Sequence, residues 1–71
     1  MERTPVKSSN VASVGFDKET GTLEIEYKSG GVYHYVGVDA DKHSDLMKAP
    51  SIGAFVHAHI KGKHAHSKLD K

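Results

Sequence analysis

Tyr33 and Tyr35 are the residues whose type and spacing most clearly suggest a binding surface. Residues two apart in a β-strand point to the same face of a sheet, so the two rings lie side by side. On an uncovered face, such a pair can stack with the bases of single-stranded RNA. On a covered face, the same two rings fill the hydrophobic core.

The turn before these tyrosines decides which face they occupy. A three-residue loop at 29–31, closed with a bulge, would pair Tyr35 with Ile25 and turn both tyrosines inward. A two-residue loop at 30–31 would pair Tyr35 with Glu26 and turn them outward, beside glutamates that repel a phosphate backbone. The sequence favours the inward arrangement but leaves both registers open.

A second candidate surface is the basic end of the chain. Residues 51–71 carry four lysines against one aspartate, a balance of +3, whereas residues 1–50 carry six Lys/Arg against eight Asp/Glu, a balance of −2. A positive end suggests an anionic partner such as RNA, DNA or a nucleotide, and a solubilising tail is the alternative. The residues predicted to contact phosphates are Lys61, Lys63, His64 and Lys68.

The histidine pairs His57/His59 and His64/His66 suggest a metal site at first sight. Residues two apart on a helix lie roughly 200° apart around its axis, so neither pair can share an ion there. A zinc site needs three or four converging ligands, which only a non-helical tail would allow. The chain has no cysteine, which excludes thiolate sites and disulfides. We therefore predict no metal and no other cofactor.

Residues that could support catalysis lie in unsuitable surroundings. Ser8 and Ser9 belong to a predicted turn and not to a strained strand-to-helix elbow. The Gly30-Gly31 pair joins two strands, whereas phosphate-binding loops join a strand to a helix. Acidic residues near Asp39 favour the start of a helix regardless of function. We therefore predict that the protein is not an enzyme.

Alternating apolar and polar residues predict three antiparallel strands, at 11–16, 22–28 and 32–36. The middle strand has the clearest pattern, with Leu23 and Ile25 on one side and Glu24 and Glu26 on the other. This strand is therefore expected to have one dry face and one wet face.

Capping residues predict two helices after the strands. Asp39 can cap a helix over 40–49, which Pro50 ends, and Ser51 can cap a second helix, which Gly62 ends. The predicted buried stripe of the second helix follows spacings of three and four at Ile52, Phe55, Val56, His59 and Ile60.

Together these elements predict an α+β fold, a three-stranded antiparallel β-meander followed by two α-helices packed on one face (β-β-β-α-α). We expect a flexible lead-in at 1–5, a single domain at 6–62 and a basic His/Lys-rich tail at 63–71. No apolar run reaches the length of a membrane span, so we expect a cytoplasmic protein. The predicted core residues are Val14, Phe16, Leu23, Ile25, Leu46, Phe55 and Ile60.

The order of several short motifs resembles the KTSC domain family, named for its occurrence at the C-terminus of some lysyl-tRNA synthetases. Residues 6–11 (VKSSNV) and 14–17 (VGFD) resemble its opening, and residues 31–35 (GVYHY) are similar to its YxY strand. The residues similar to its closing helical segment are Leu46, Ala49, Ser51, Gly53, Phe55 and Ile60. The resemblance covers residues 6–66 and implies one small domain.

The sequence departs from the family pattern at three positions. Phe16 stands where a tyrosine is common, and His43 and His64 stand where aromatic residues are frequent. These departures weaken any role there that depends on a tyrosine hydroxyl or a stacked ring. The family also occurs as small stand-alone proteins of bacteria and their phages, and its association with the synthetases implies RNA binding.

The leading hypothesis is a small non-catalytic module that binds RNA or a tRNA-like nucleic acid through a basic C-terminal helix and tail. The four basic residues named above contact phosphates, and Tyr33 and Tyr35 add stacking if they face outward. Two alternatives remain open. One is a protein-interaction module, of bacterial or phage origin, that uses the edges of the sheet. The other is a small oligomer that binds a nucleotide-like anion.

Overall fold

The structure is a computed structural model that describes residues 3–69. Its strands are β1 (Arg3–Pro5), β2 (Val11–Asp17), β3 (Thr22–Tyr27), β4 (Val32–Tyr35) and β5 (His66–Leu69). Between β4 and β5 lie helix α1 (Ala40–Lys48) and helix α2 (Ile52–Phe55), which continues as a π-helical turn (Val56–Ile60). The strands form one sheet in the order β1-β2-β3-β4-β5, and every neighbouring pair is antiparallel. Within these residues no helix is long and apolar enough to cross a membrane.

The predicted α+β class is confirmed, but the prediction of three strands is wrong because the sheet has five. The two additional strands, β1 and β5, lie in the segments predicted as a lead-in and as a tail, whose residues 1–2 and 70–71 lie outside the described residues. Three of the four side chains of β5 are exposed, so no apolar alternation marks this strand in the sequence. Its backbone pairs with β4, and tertiary pairing of this kind overrides a weak local preference.

Residues 28–31 lie between β3 and β4, and residues 28–30 form a three-residue loop flanked by the closing pair Tyr27 and Gly31. The amide of Tyr27 donates to the carbonyl of Gly31 over 2.8 Å, and this hydrogen bond closes the loop. Gly30 has a φ of 107°, in the left-handed region that glycine adopts without steric cost. The loop therefore has the three-residue length that the inward arrangement requires. It lies at 28–30, one residue before the predicted position at 29–31.

The register that follows from this loop turns both tyrosines inward. Tyr33 lies opposite Ile25, and Tyr35 lies opposite Leu23. The predicted facing is confirmed, but the predicted register is wrong by two residues, since Tyr35 was expected opposite Ile25. The facing survives because a shift of two residues returns every side chain to the same face.

Both predicted helix caps are present. The Asp39 carboxylate accepts from the amide of Lys42 over 2.7 Å, and the Ser51 hydroxyl accepts from the amide of Ala54 over 3.3 Å. Each cap satisfies a backbone donor that the first helical turn leaves unpaired. The two predicted helix starts are therefore confirmed.

The second helix departs from regular α-helical spacing at its end. The amide of Lys61 donates to the carbonyl of Val56, five residues earlier, over 2.8 Å. In this π-helical turn Val56 and Ile60 are both buried, while His59 is exposed. The prediction that His59 belongs to the buried stripe is therefore wrong, because it assumed 3.6 residues per turn.

The core lies between the helices and one face of the sheet, which we call the inner face and which carries Val14, Leu23 and Ile25. Phe16 and Phe55, predicted as core residues, are only partly buried and pack against the core. Full burial of an aliphatic side chain stabilises the fold by about 1.5–3 kcal/mol. The buried core cluster consists of Val11, Val14, Leu23, Ile25, Tyr35, Val38, Leu46, Ile52, Val56 and Ile60.

The opposite face of the sheet, the outer face, carries a polar network. Glu24 accepts from His34 Nε2 over 2.6 Å and forms an ion pair with Arg3 Nε at 3.2 Å. Glu26 accepts from the Ser13 hydroxyl over 2.9 Å. Glu24 is only 9% exposed, so its predicted place on a wet face needs correction. Its charge is tolerated there because two partners bind its two oxygens.

His43 stacks on Phe16 where α1 meets β2. The ring centroids are 4.6 Å apart and the planes are inclined by 12°. Burial lowers the pKa of His43, because the charged imidazolium loses water there. His43 therefore supplies a flat, neutral ring at a position where the resemblance to the KTSC family implies an aromatic residue.

We predict that Glu24→Gln lowers the free energy of unfolding by about 1–2 kcal/mol, because it leaves Arg3 without its anionic partner. Urea unfolding followed by circular dichroism measures the loss. Glu19→Gln, at an exposed loop position, is the matched control and should change stability by less than about 0.5 kcal/mol. Equal effects of the two substitutions would contradict the network.

We predict that His43 makes stability fall below neutral pH. Because the unfolded chain protonates His43 more readily than the folded protein does, stability is complete above about pH 6.5 and decreases as the pH falls toward the lowered folded pKa. His43→Phe keeps the stacked ring and removes this proton linkage. The loss of unfolding free energy between about pH 7.5 and pH 5.5 should be smaller in the variant, and an unchanged loss refutes the assignment.

Candidate nucleic-acid interface

The inner face of the sheet changes character from its centre to its β5 edge. Ile25 at the centre is fully buried, and its neighbour Tyr33 on β4 is partly buried. Lys68, which lies opposite Tyr33 on β5, is exposed. From Ile25 through Tyr33 to Lys68, the side chains of the inner face therefore change from apolar to aromatic to cationic, and the cationic side chain is exposed to solvent.

Three tyrosines, Tyr27, Tyr33 and Tyr35, form what we call the tyrosine cluster. The rings of Tyr27 and Tyr33 meet edge to face at 5.5 Å, and those of Tyr33 and Tyr35 are 6.5 Å apart at 28°. The hydroxyls of Tyr27 and Tyr35 share a hydrogen bond of 2.8 Å. His66 on β5 extends the cluster, with its ring 5.6 Å from that of Tyr35 and 6.1 Å from that of Tyr33.

The Tyr27 hydroxyl of the tyrosine cluster carries no negative charge at neutral pH. Burial, and then the hydrogen bond with Tyr35, raise the pKa of the Tyr27 hydroxyl above its ordinary value. The Tyr27 phenol therefore keeps its proton and does not repel an anionic ligand.

The π-helical turn brings Lys61 to the tyrosine cluster. Its backbone amide closes that turn, and its Nζ lies 5.2 Å from the centroid of the Tyr27 ring. A cation at this distance is attracted by the negative face of the ring. Lys61 itself is exposed, so its charge remains accessible to a ligand. The following Gly62, with a φ of 77°, turns the chain away toward β5.

Two adjoining cavities, which we call together the groove, lie between the β3–β4 hairpin and the second helix. The larger has a volume of about 790 Å³ and the smaller about 420 Å³. The larger is lined by Ser9, Asn10, Tyr27, Lys28, Ser29, Ser51, Gly53, Ala54, Val56, His57 and Lys61. The smaller is lined by Tyr27, Ser29, Tyr33, Tyr35, Lys61 and His66.

The groove is lined by cationic, aromatic and neutral polar side chains, and no carboxylate of residues 3–69 lines either cavity. The lysines are Lys28 and Lys61, and the histidines are His57 and His66. The glutamates that would repel phosphates are on the outer face. The inward facing of the tyrosines therefore separates them from these acidic neighbours.

The structure brings together four of the six predicted site residues. Tyr33, Tyr35 and Lys61 line the groove, and Lys68 lies opposite Tyr33 at its β5 side. Lys63 is exposed in the turn after the π-helical segment and does not line the groove.

The sixth, His64, is held elsewhere. Its Nδ1 lies 3.1 Å from the carbonyl oxygen of Val36, and its Nε2 lies 3.0 Å from the Nζ of Lys42. A carbonyl can only accept and an ammonium can only donate, so Nδ1 donates and Nε2 accepts. Through these two contacts His64 joins α1 to the end of β4.

Sequence reasoning missed several residues of the groove, among them Asn10, Lys28, His57 and His66. Each lies on a different element, and the groove exists only once the sheet and the second helix have packed together. His66 also depends on β5, which no local pattern reveals. Between Arg3 and Leu69 no three His, Asp or Glu side chains could hold a metal ion.

Comparisons with known proteins agree with this fold. The sequence model of the KTSC domain matches residues 7–64. The crystal structure of a KTSC domain protein from Yersinia pestis matches this chain with a TM-score of 0.94 at 39% identity, covering 97% of each chain. An uncharacterised protein of Stutzerimonas stutzeri is 34% identical over 64 residues, 90% of both chains.

Two lysine–tRNA ligases contain a similar segment. The ligase of Trichormus variabilis is 35% identical to this chain over 63 residues, and that of Nostoc punctiforme is 36% identical over 63 residues. These matches cover 89% of this chain but only 11% of each ligase. The similarity therefore concerns one small part of the ligases. The extent of the family match and of the structural match shows that this chain belongs to the KTSC domain family.

Proposed function

We propose that this chain is a small RNA-binding domain whose ligand lies in the groove. The observation that carries the proposal is the lining, which combines Lys28, Lys61, His57 and His66 with the tyrosine cluster and, among the residues that the structure describes, contains no carboxylate. Lysines bind phosphates, and aromatic rings stack with bases.

The size of the groove supports a ligand of nucleotide dimensions. Volumes of about 790 Å³ and 420 Å³ fall in the range of about 300–1,000 Å³ that is typical of small-molecule sites. A polymer can fill both cavities because they adjoin at Tyr27, Ser29 and Lys61.

The similar segment of the lysine–tRNA ligases supports RNA as the polymer. Those proteins are named for tRNA, and each carries a stretch about one third identical to this chain. A basic groove on such a stretch would add phosphate contacts to any RNA-binding protein that contains it.

A protein partner is the second candidate function, and β5 is the observation that favours it. Within residues 3–69 this strand has a sheet neighbour on one side only, so its other backbone edge can pair with a strand of another chain. Binding of this type would depend little on salt and would not require Lys61.

We predict that the protein binds a labelled single-stranded RNA of about 12 nucleotides, and that affinity falls steeply between about 50 and 200 mM salt. Lys61→Gln should weaken binding about threefold to tenfold and lower the slope of log K against log salt by about 0.7, since one phosphate contact is lost. Fluorescence anisotropy measures both quantities.

Lys18→Gln is the matched control for this experiment. It removes the same charge from an exposed position in the β2–β3 loop, at the opposite end of the sheet from the β3–β4 loop. It should leave the affinity within about twofold of the unmodified protein. No binding at tens of micromolar protein, or equal effects of the two substitutions, contradicts the proposal.

A further inference from the structure

We infer that the groove selects single-stranded RNA, with one base stacked on Tyr33 and the edge of a neighbouring base bound by the side-chain amide of Asn10. This inference rests on the proposed function and names the class of RNA. It assigns the smaller cavity to stacking and the larger cavity to the reading of a base edge.

Tyr33 is the ring of the tyrosine cluster that a base can reach. Stacking was predicted for both Tyr33 and Tyr35 if they faced outward; Tyr35 is only 2% exposed, whereas Tyr33 is partly exposed although it faces inward. The exposed ring of His66 lies 6.1 Å from Tyr33 and provides a second aromatic surface in the same cavity. Gly31 has no side chain and so leaves space for the Tyr33 ring, since a Cβ at Gly31 would lie 3.0 Å from Tyr33 Cε1.

Asn10 presents a free amide on a fixed backbone. Its own amide N–H donates to the Ser8 hydroxyl over 3.3 Å, and its carbonyl accepts from Lys28 N–H over 2.8 Å. Its side chain is exposed in the larger cavity and makes no hydrogen bond to any of residues 3–69. Gly53 lies close to this side chain, since a Cβ there would be in ordinary van der Waals contact with Nδ2, at 3.6 Å.

The chemistry of the amide favours unpaired bases. Asparagine places one acceptor, Oδ1, beside one donor, Nδ2. The Watson–Crick edge of every base offers a matching donor beside an acceptor, and in a duplex that edge is already paired. The amide of Asn10 can therefore form two hydrogen bonds with an unpaired base, while a duplex offers it only the groove edges.

Lys61 lies where the phosphate between the two bases would be needed. It lines both cavities, together with Tyr27 and Ser29, so its ammonium is placed at their junction. A phosphate bound there links a base in the smaller cavity to its neighbour in the larger one.

The first experiment compares single-stranded and duplex RNA of the same sequence by anisotropy at one salt concentration. The single strand should bind about tenfold more tightly, and Tyr33→Leu should remove most of that difference. Phe16→Leu changes a partly buried aromatic residue outside the groove and is the matched control. His66→Ala serves as a second test should Tyr33→Leu fail to fold, and it should also reduce the difference.

The second experiment tests Asn10 with RNAs of about six nucleotides that differ in one central base. Asn10→Asp carries two acceptors, which match the two adjacent N–H donors of guanine and no other base. Relative to Asn10→Ala, it should favour the guanine-containing RNA by about tenfold, while binding of all RNAs weakens through the added negative charge.

The outcomes separate this inference from the proposed function. Salt-dependent binding with equal affinity for single strand and duplex overturns the inference and leaves the proposed function intact. A single-strand preference that the Asn10 variants do not alter overturns the assignment of Asn10. Absence of all RNA binding refutes the proposed function and the inference together.

Discussion

The three-residue loop between β3 and β4 is the constraint on which the rest of the molecule depends. Its closing hydrogen bond between Tyr27 and Gly31 fixes the register of β4. A slip of one residue would send the tyrosines to the outer face and place them beside the glutamates. In the observed register the tyrosines share a face with the core, and the glutamates bind Arg3, Ser13 and His34 on the other side.

This separation of charge across the sheet explains how so small a domain can offer a groove suited to an anion. The acidic side chains of β3 lie on the outer face, where the nearly buried Glu24 is paired with Arg3 and Glu26 accepts from the Ser13 hydroxyl. The inner face ends in Lys68 and His66 on β5, and the π-helical turn adds Lys61 from above the Tyr27 ring. The net charge of the chain is only +1, so distribution rather than total charge gives the groove its character.

The sequence was sufficient to predict elements with strong local signals. Alternation of Leu23 and Ile25 with glutamates marked β3, and Asp39 and Ser51 marked the helix starts, because each signal acts within a few residues. The strand β5 was missed because its stability comes from pairing with β4 and not from its own composition. The departure of His59 from the buried stripe was missed because a π-helical turn has no reliable sequence signal.

The candidate site could be predicted only in part, because local signals do not show which residues meet in the folded protein. Tyr33 and Lys61 could be chosen by residue type, but Asn10 and His66 join them only through tertiary structure. His64 was assigned to phosphate by its position in a basic segment, whereas the fold uses both of its ring nitrogens to hold Val36 and Lys42. Spacing along the chain does not reveal which of several neighbouring cations will face a common cavity.

The most direct test of the groove as an RNA site is an amide chemical-shift map of the ¹⁵N-labelled protein during titration with single-stranded RNA. We predict the largest changes at Asn10, Lys28, Tyr33, Lys61 and His66. Changes confined to the outer face, or a spectrum that RNA leaves unaltered, would contradict this prediction.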